Sequence, residues 1–226
     1  MIVDILPIAL LGGVLGLDVV SFPQAMVSRP LVAATFTGIL IGQPASGLLI
    51  GATLELIALE TLPFGASRYP EWGSASVVGG AIFSSHPSHP AGAMTLAMVA
   101  ALATTWVGGW TMVKLRQANA IWAGQRRDAL EAGSRGAVIS LQLLGMTADL
   151  LRGIALTAIA YALLAPLADY CIRTWTMDAR LSRAIAVATA ASVAGGAAWK
   201  LFHSTAGARW FFVGGLAAGL LFLFLR

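Results

Sequence analysis

Apolar residues in this chain gather in long charge-free runs, not in the alternation of a half-wet surface. Positions 30–54 contain no Asp, Glu, Lys or Arg, and neither do positions 72–113, a stretch of 42 residues. Later runs at 153–168, 184–199 and 210–225 are sixteen residues each. A hydrocarbon layer of roughly 30 Å is crossed by about 20 helical residues at 1.5 Å apiece, so these runs have the length of membrane-embedded helices. The longest one must be broken. Pro87 and Pro90 lie within Ser84-Ser85-His86-Pro87-Ser88-His89-Pro90, where they end regular helix and leave 91–110 as a clean span. Positions 2–20 are expected to be a retained first helix, since the start lacks the positive n-region of a cleaved signal peptide.

Between positions 22 and 57 the pattern allows two arrangements. Either 22–41 is one kinked span that turns at Gly42-Gln43-Pro44-Ala45, or 31–41 is a half-helix of roughly 16 Å that re-enters beside 46–57. Both put broken backbone at membrane depth, which is tolerated only where protein or a cavity covers it. The expected fold is an all-α integral membrane protein with six to seven membrane-embedded helical segments, some broken or re-entrant. It is read as one membrane domain over 1–226, with a motif-bearing half at 1–113, a basic cytoplasmic linker at 114–136 and C-terminal helices at 137–226. Paired small residues, Gly12-Gly13, Gly79-Gly80, Gly195-Gly196 and Gly214-Gly215, read as close helix-packing points.

Composition strengthens this picture. Hydrophobic residues make up 58% and charged residues 11%, against about a quarter charged in a soluble domain. Mean hydropathy is +0.82. That balance excludes a soluble enzyme and a disordered regulator, and the single cysteine, Cys171, excludes an intrachain disulfide. The net charge of +4 does not indicate nucleic acid, because the basic residues sit between apolar runs. Lys114, Arg116, Arg126, Arg127 and Arg135 concentrate in one 22-residue stretch, read as an amphipathic surface helix. By the positive-inside rule it lies in the cytoplasm and the His86–His89 turn lies outside.

Ionisable groups inside apolar runs are costly and therefore informative. Glu55 falls in Leu54-Glu55-Leu56, roughly 12 Å into a helix that starts at Gly47, near the midplane. A carboxylate there suits sugar hydroxyls, a proton, or an ion pair with Arg29 or Arg68. Glu60 lies about 140° around the helix from Glu55, so the two do not form a hydrolytic pair. Glu71 follows the Pro63–Ala66 break and is either an exposed-backbone binding residue or part of an interfacial loop anchored by Tyr69 and Trp72. Asp18 and Arg29 are expected to pair and close the 21–30 loop. Asp149 and Arg152 are read as a structural i, i+3 pair. His86 and His89 have no acid beside them and read as a polar turn, not a metal site. No phosphate-binding loop, dinucleotide turn or nucleophile elbow is present, so neither a cofactor nor a metal is called for.

Four blocks then occur in order: Ser28-Arg29-Pro30, Gly38-Ile39-Leu40-Ile41-Gly42, Gly47 through Leu54-Glu55-Leu56, and Pro70-Glu71. Together they resemble the membrane-embedded IIC component of the mannose/fructose/sorbose family of the bacterial phosphotransferase system. The resemblance is close over 18–90 and looser over 142–164 and 193–220. It implies a permease subunit in the bacterial cytoplasmic membrane that forms an oligomer with a IID-type membrane subunit. A hexose-type sugar is carried inward and phosphorylated at its 6-position, with the phosphoryl group coming from cytoplasmic IIA and IIB partners. It further implies Glu55, Glu71 and Glu60 as substrate-binding candidates, and Arg29, Asp18 and Arg68 as fold or gating residues. The chain departs from the pattern at Gln43, Glu71 and Glu60, where the family usually has Asp, Asp and Gly, and it is shorter at the C-terminus. Two other readings stay open at this point: a non-transporting scaffold that recruits phosphotransfer proteins, and an unrelated secondary transporter with Glu55 as its proton site.

Overall fold

Pro30 and Pro44 set where two short helices begin. Proline suits the first helical position, where its missing N–H is not needed and its φ already matches. Helix α2 (Pro30–Ile41) ends at Gly42, whose φ of +80° is left-handed, with the Gly42 and Gln43 N–H groups donating to the carbonyls of Ile39 and Gly38. Helix α3 (Pro44–Ala58) starts two residues later and returns antiparallel. At 12 and 15 residues they measure about 18 and 22 Å, so neither crosses the bilayer alone. The re-entrant arrangement is therefore the one adopted. Close approach makes the hairpin work: a Cβ on Gly47 would lie 2.4 Å from the Ala34 carbonyl oxygen and 2.8 Å from Gly38 Cα.

The computed structural model describes residues 5–59, 69–88, 90, 92–174, 179–202 and 206–224. Besides the hairpin, these form α1 (Ile5–Leu17), α4 (Trp72–Ser84), α5 (Ala93–Gln125), α6 (Arg127–Glu131), α7 (Arg135–Thr174), α8 (Ala179–Phe202) and α9 (Ala208–Phe224). With the hairpin counted once and five-residue α6 set aside, seven helical units remain among the described residues, in agreement with the sequence. Among the described residues, α5 and α7 are the two helices both long and apolar enough to cross a membrane by themselves.

Helix α4 is the axis. All thirteen of its residues are buried, and it packs against α1, α2, α3, α5 and α7. Its composition explains this: Gly, Ala and Ser allow backbones to touch, so Gly73 lies against the Leu15 carbonyl and Gly80 against Ala34. Helix α1 crosses α7 the same way, with Gly12 and Gly13 against Thr157, Ile154 and Gly153. The outer pairs differ. Gly195, Gly196, Gly214 and Gly215 have open space where a Cβ would point, so no described residue packs against them there.

Polarity is inverted relative to a soluble protein. Asp18, Thr37, Ser46, Glu71, Ser74, Ser76, Thr104, Asp149 and Thr157 are buried, while Leu6, Leu40, Leu48, Val99, Trp106, Ile159 and Leu163 are exposed. That distribution is stable only when the surrounding solvent is lipid, where an apolar exterior costs nothing and polar groups must be satisfied inside.

The basic stretch 114–135 is organised differently from the expected separate surface helix. Residues 114–125 continue α5, which at 33 residues spans about 50 Å and overshoots the hydrocarbon. The segment Lys114-Leu115-Arg116-Gln117-Ala118-Asn119-Ala120 contains no glycine or proline, so nothing interrupts the hydrogen-bond ladder as the helix leaves the apolar layer.

Candidate functional site

The Ser-Arg-Pro and Leu-Glu-Leu blocks, separated by 26 residues, meet across the hairpin. Arg29, the residue before α2, donates from Nε to Glu55 Oε1 at 2.7 Å and also pairs with it through Nη2. Glu55 Oε2 accepts the Leu31 N–H at 3.1 Å. One carboxylate on α3 thus neutralises the arginine and caps the first free amide of α2. Such an amide otherwise lacks a partner, and negative charge is favoured at a helix N-terminus. Both side chains keep some exposure, 29% for Arg29 and 21% for Glu55, so the pair is reachable.

Beside it lies a cavity of about 350 Å³ between the 18–30 loop and the start of α4, lined by Asp18, Gln24, Arg29, Tyr69 and Trp72 among others. Two charged groups, two aromatic rings and that volume fit a small polar solute with an apolar face. The loop that forms one wall is tightly held. Asp18, 2% exposed, accepts the Ala25 N–H at 2.7 Å, the Ser28 N–H at 2.9 Å and the Ser28 hydroxyl at 2.8 Å. Burial pushes its carboxyl up, but the hydrogen bonds from Ser28 and Ala25 outweigh that and hold it below the ordinary value. Gln24 and Met26 adopt left-handed φ of 58° and 62°, uncommon for residues with side chains. The expected Asp18–Arg29 pair is therefore not made. Local donors in the loop reach Asp18 first, while Arg29 points across the hairpin to Glu55.

Asp18→Ala is expected to release this loop. The Ala25 and Ser28 amides would each lose an acceptor, at about 1–3 kcal/mol for the buried one at Ser28 and less for the exposed residue Ala25. Hydrogen exchange in detergent micelles should accelerate at the Ser28 amide by about tenfold or more and less at Ala25, with α5 and α7 unchanged. Asp18→Asn, which keeps one acceptor oxygen, should fall between.

Glu71 caps α4, its Oε1 accepting the Ser74 N–H at 3.1 Å, and is completely buried. Its Oε2 has no hydrogen-bond partner and faces Gly108, where a Cβ would come within 3.0 Å. Tyr69 and Trp72 flank the cavity, whereas the Glu71 side chain lies between Gly16 of α1 and Gly108 of α5. Glu60, Arg68 and His89 lie outside the described residues.

Two groupings escape a linear reading. Asp149 and Arg152 form the expected i, i+3 pair at 2.9 Å, and the network extends further: Ser21 donates to Asp149, and Arg152 donates to the Thr111 hydroxyl at 3.2 Å. His86, expected to stand without an acid, has its Nε2 2.8 Å from Asp169 Oδ1 on α7. In both cases the partner is tens of residues away, so spacing carries no signal; only the cost of an unsatisfied polar group in an apolar setting hints that one exists. Among the described residues no three His, Cys, Asp or Glu side chains cluster as metal ligands would.

The family model for the phosphotransferase-system sorbose-specific IIC component matches residues 2–214 of this chain. The chain belongs to that family. Over 50 residues it is 42% identical to the sorbose-specific EIIC component of Lacticaseibacillus casei and 44% identical to the mannose-specific EIIC component of Escherichia coli K12. Each alignment covers 22% of this chain, with 18% of the first relative and 19% of the second. The fructose permease IIC component of Bacillus subtilis is 38% identical over 55 residues, 24% of this chain and 20% of that one. The fold of this IIC component is shared with a solved membrane protein at 19% identity and a TM-score of 0.73. A second likeness is the mannose transporter ManYZ, solved by cryo-EM in complex with microcin E492, at 20% identity and a TM-score of 0.61. Each structural match spans 97% of this chain and 87% of the other.

Proposed function

We propose that this chain is the sugar-translocating membrane subunit of a phosphoenolpyruvate-dependent phosphotransferase system in the bacterial inner membrane. The observation that carries this reading is the reachable Arg29–Glu55 pair beside the aromatic-walled 350 Å³ cavity. A hexose-type sugar offers vicinal hydroxyls, which a carboxylate accepts and a guanidinium donates to, and a C–H face that rests on Tyr69 or Trp72. Sugar hydroxyls compete for Glu55 with Arg29 and with the amide of Leu31. Occupancy thereby loosens the hairpin end at the moment the site is filled, which couples binding to rearrangement.

Glu71 has a free, buried acceptor oxygen that becomes available if α1 and α5 separate, and Glu60 is the third acidic candidate by its place after the Leu-Glu-Leu block. Asp18, Arg29 and Arg68 act as gating or structural groups. Within this reading the phosphoryl group is delivered by cytoplasmic IIA and IIB partners, a IID-type membrane subunit completes the oligomer, and the chain itself supplies no phosphoryl-transfer residue.

Glu55→Gln removes the charge but keeps the shape. Hydrogen bonds to a charged group contribute about 1.5–3 kcal/mol, so sugar uptake with phosphorylation should fall about ten- to hundredfold at equal membrane abundance. Uptake at the wild-type rate would overturn the assignment of Glu55. Accumulation of unmodified sugar that needs no phosphoryl donor would replace it with a secondary transporter.

A further inference from the structure

Helices α5 and α7 leave a groove between them that the sugar site does not use. Its walls are Ala103, Thr104, Val107 and Thr111 on α5, and Arg152, Ala155, Leu156, Ile159 and Leu163 on α7, around a space of about 420 Å³. The threonines add little polarity, because the Thr104 hydroxyl donates to the Ala100 carbonyl and the Thr111 hydroxyl to that of Gly108. One end differs from the rest. There Arg152 contacts Thr111, and one turn further along α5 Lys114 lies over the Trp110 ring at 5.9 Å. A tryptophan with a lysine beside it marks the membrane–water boundary.

Length makes the groove specific. From Arg152 to Leu164 is twelve residues, about 18 Å of helix, against about 15 Å for half of a 30 Å hydrocarbon layer. It starts at the interface and ends near the midplane, which is the path of an acyl chain in one leaflet. Its charged end belongs to the stretch holding Lys114, Arg116, Arg126 and Arg127, and basic pockets between membrane helices on that side suit anionic headgroups.

We propose that the α5–α7 groove binds one acyl chain of an anionic glycerophospholipid, with its phosphate at Lys114 and Arg152. Asp149 already neutralises Arg152, so Lys114 supplies the net charge that selects an anionic headgroup. A seated lipid would hold α7 against α5 where Arg152 reaches Thr111.

The test uses the full chain, purified in detergent and titrated with phosphatidylglycerol or phosphatidylcholine of the same acyl composition. Bound lipid is counted by native mass spectrometry. Phosphatidylglycerol should be retained about fivefold more strongly, the effect of one interfacial cation, and Lys114→Gln should abolish that preference. Ala155→Phe, an exposed position that fills the groove, should reduce binding of both lipids while circular dichroism and monodispersity stay unchanged. Equal binding of the two lipids by the wild type, or undiminished binding in a folded Ala155→Phe variant, overturns the proposal. So does a cross-link from Leu163→Cys, made with Cys171→Ala, that captures a second protein chain instead of lipid.

Discussion

Gly47→Ala should cost this protein about 3 kcal/mol of stability or more, although it adds a single methyl group. The new Cβ would lie 2.4 Å from the Ala34 carbonyl oxygen and 2.8 Å from Gly38 Cα. Neither obstacle is a side chain that can rotate away; both are backbone of the facing helix. The hairpin must spread, and α2 and α3 also cover α4, so the strain passes into the axis of the bundle. Overpacking of this kind costs about 3 kcal/mol or more, which for a chain of this size lowers the midpoint of thermal unfolding by about 6–12 °C. Gly195→Ala is the matched control. Nothing lies within 4 Å of its Cβ position, so its midpoint should be unchanged. Both are read by thermal unfolding in detergent, and equal midpoints would show that the hairpin does not depend on backbone contact at Gly47.

The second large effect concerns the Arg29–Glu55 pair, and it separates architecture from function. Arg29→Met alone leaves Glu55 with the Leu31 amide as its one remaining partner among the described residues, in a largely apolar setting. Removing one partner of a fully buried pair costs about 3–5 kcal/mol, and with 29% of Arg29 and 21% of Glu55 exposed the lower end applies, about 3 kcal/mol. Glu55→Met strands the arginine at a similar cost. The double variant Arg29→Met with Glu55→Met should recover most of the loss, because replacing a buried pair by apolar groups of similar volume is often neutral. Uptake of sugar with phosphorylation should stay abolished in all three. A double variant that regains uptake along with stability would reduce the pair to a structural device and remove it from the sugar site.

Much of this arrangement was legible in the linear chain. Charge-free runs located the helices and Gly42-Gln43-Pro44-Ala45 marked a turn, while the helix starts at Pro30 and Pro44 came from the structure. Glu55 stood out because a carboxylate inside an apolar run has to be explained. Arg29 was a candidate partner for both Asp18 and Glu55, and spacing could not choose between them; nor could it reveal that Asp149 gains Ser21 across 128 residues or that His86 finds Asp169. Helix periodicity reports only which residues share a face of one helix. A hydrogen bond between two helices depends on how they cross.

The glycine pairs draw the same line. All four look alike along the chain, yet Gly12-Gly13 and Gly79-Gly80 touch neighbouring helices, while Gly195-Gly196 and Gly214-Gly215 face open space. By itself, then, the sequence determined a lipid-solvated all-α protein with a broken segment between 22 and 57 and the acids Glu55, Glu60 and Glu71 at or just after it. Those properties follow from local propensity and from the transfer cost of charge into hydrocarbon, both of which act residue by residue. Only the tertiary structure decided that α4 is the buried axis, that Glu55 caps α2 at the Leu31 amide while pairing with Arg29, and that Glu71 is enclosed between Gly16 and Gly108. These depend on which backbones approach within van der Waals distance, a property of helix pairs and not of any residue alone.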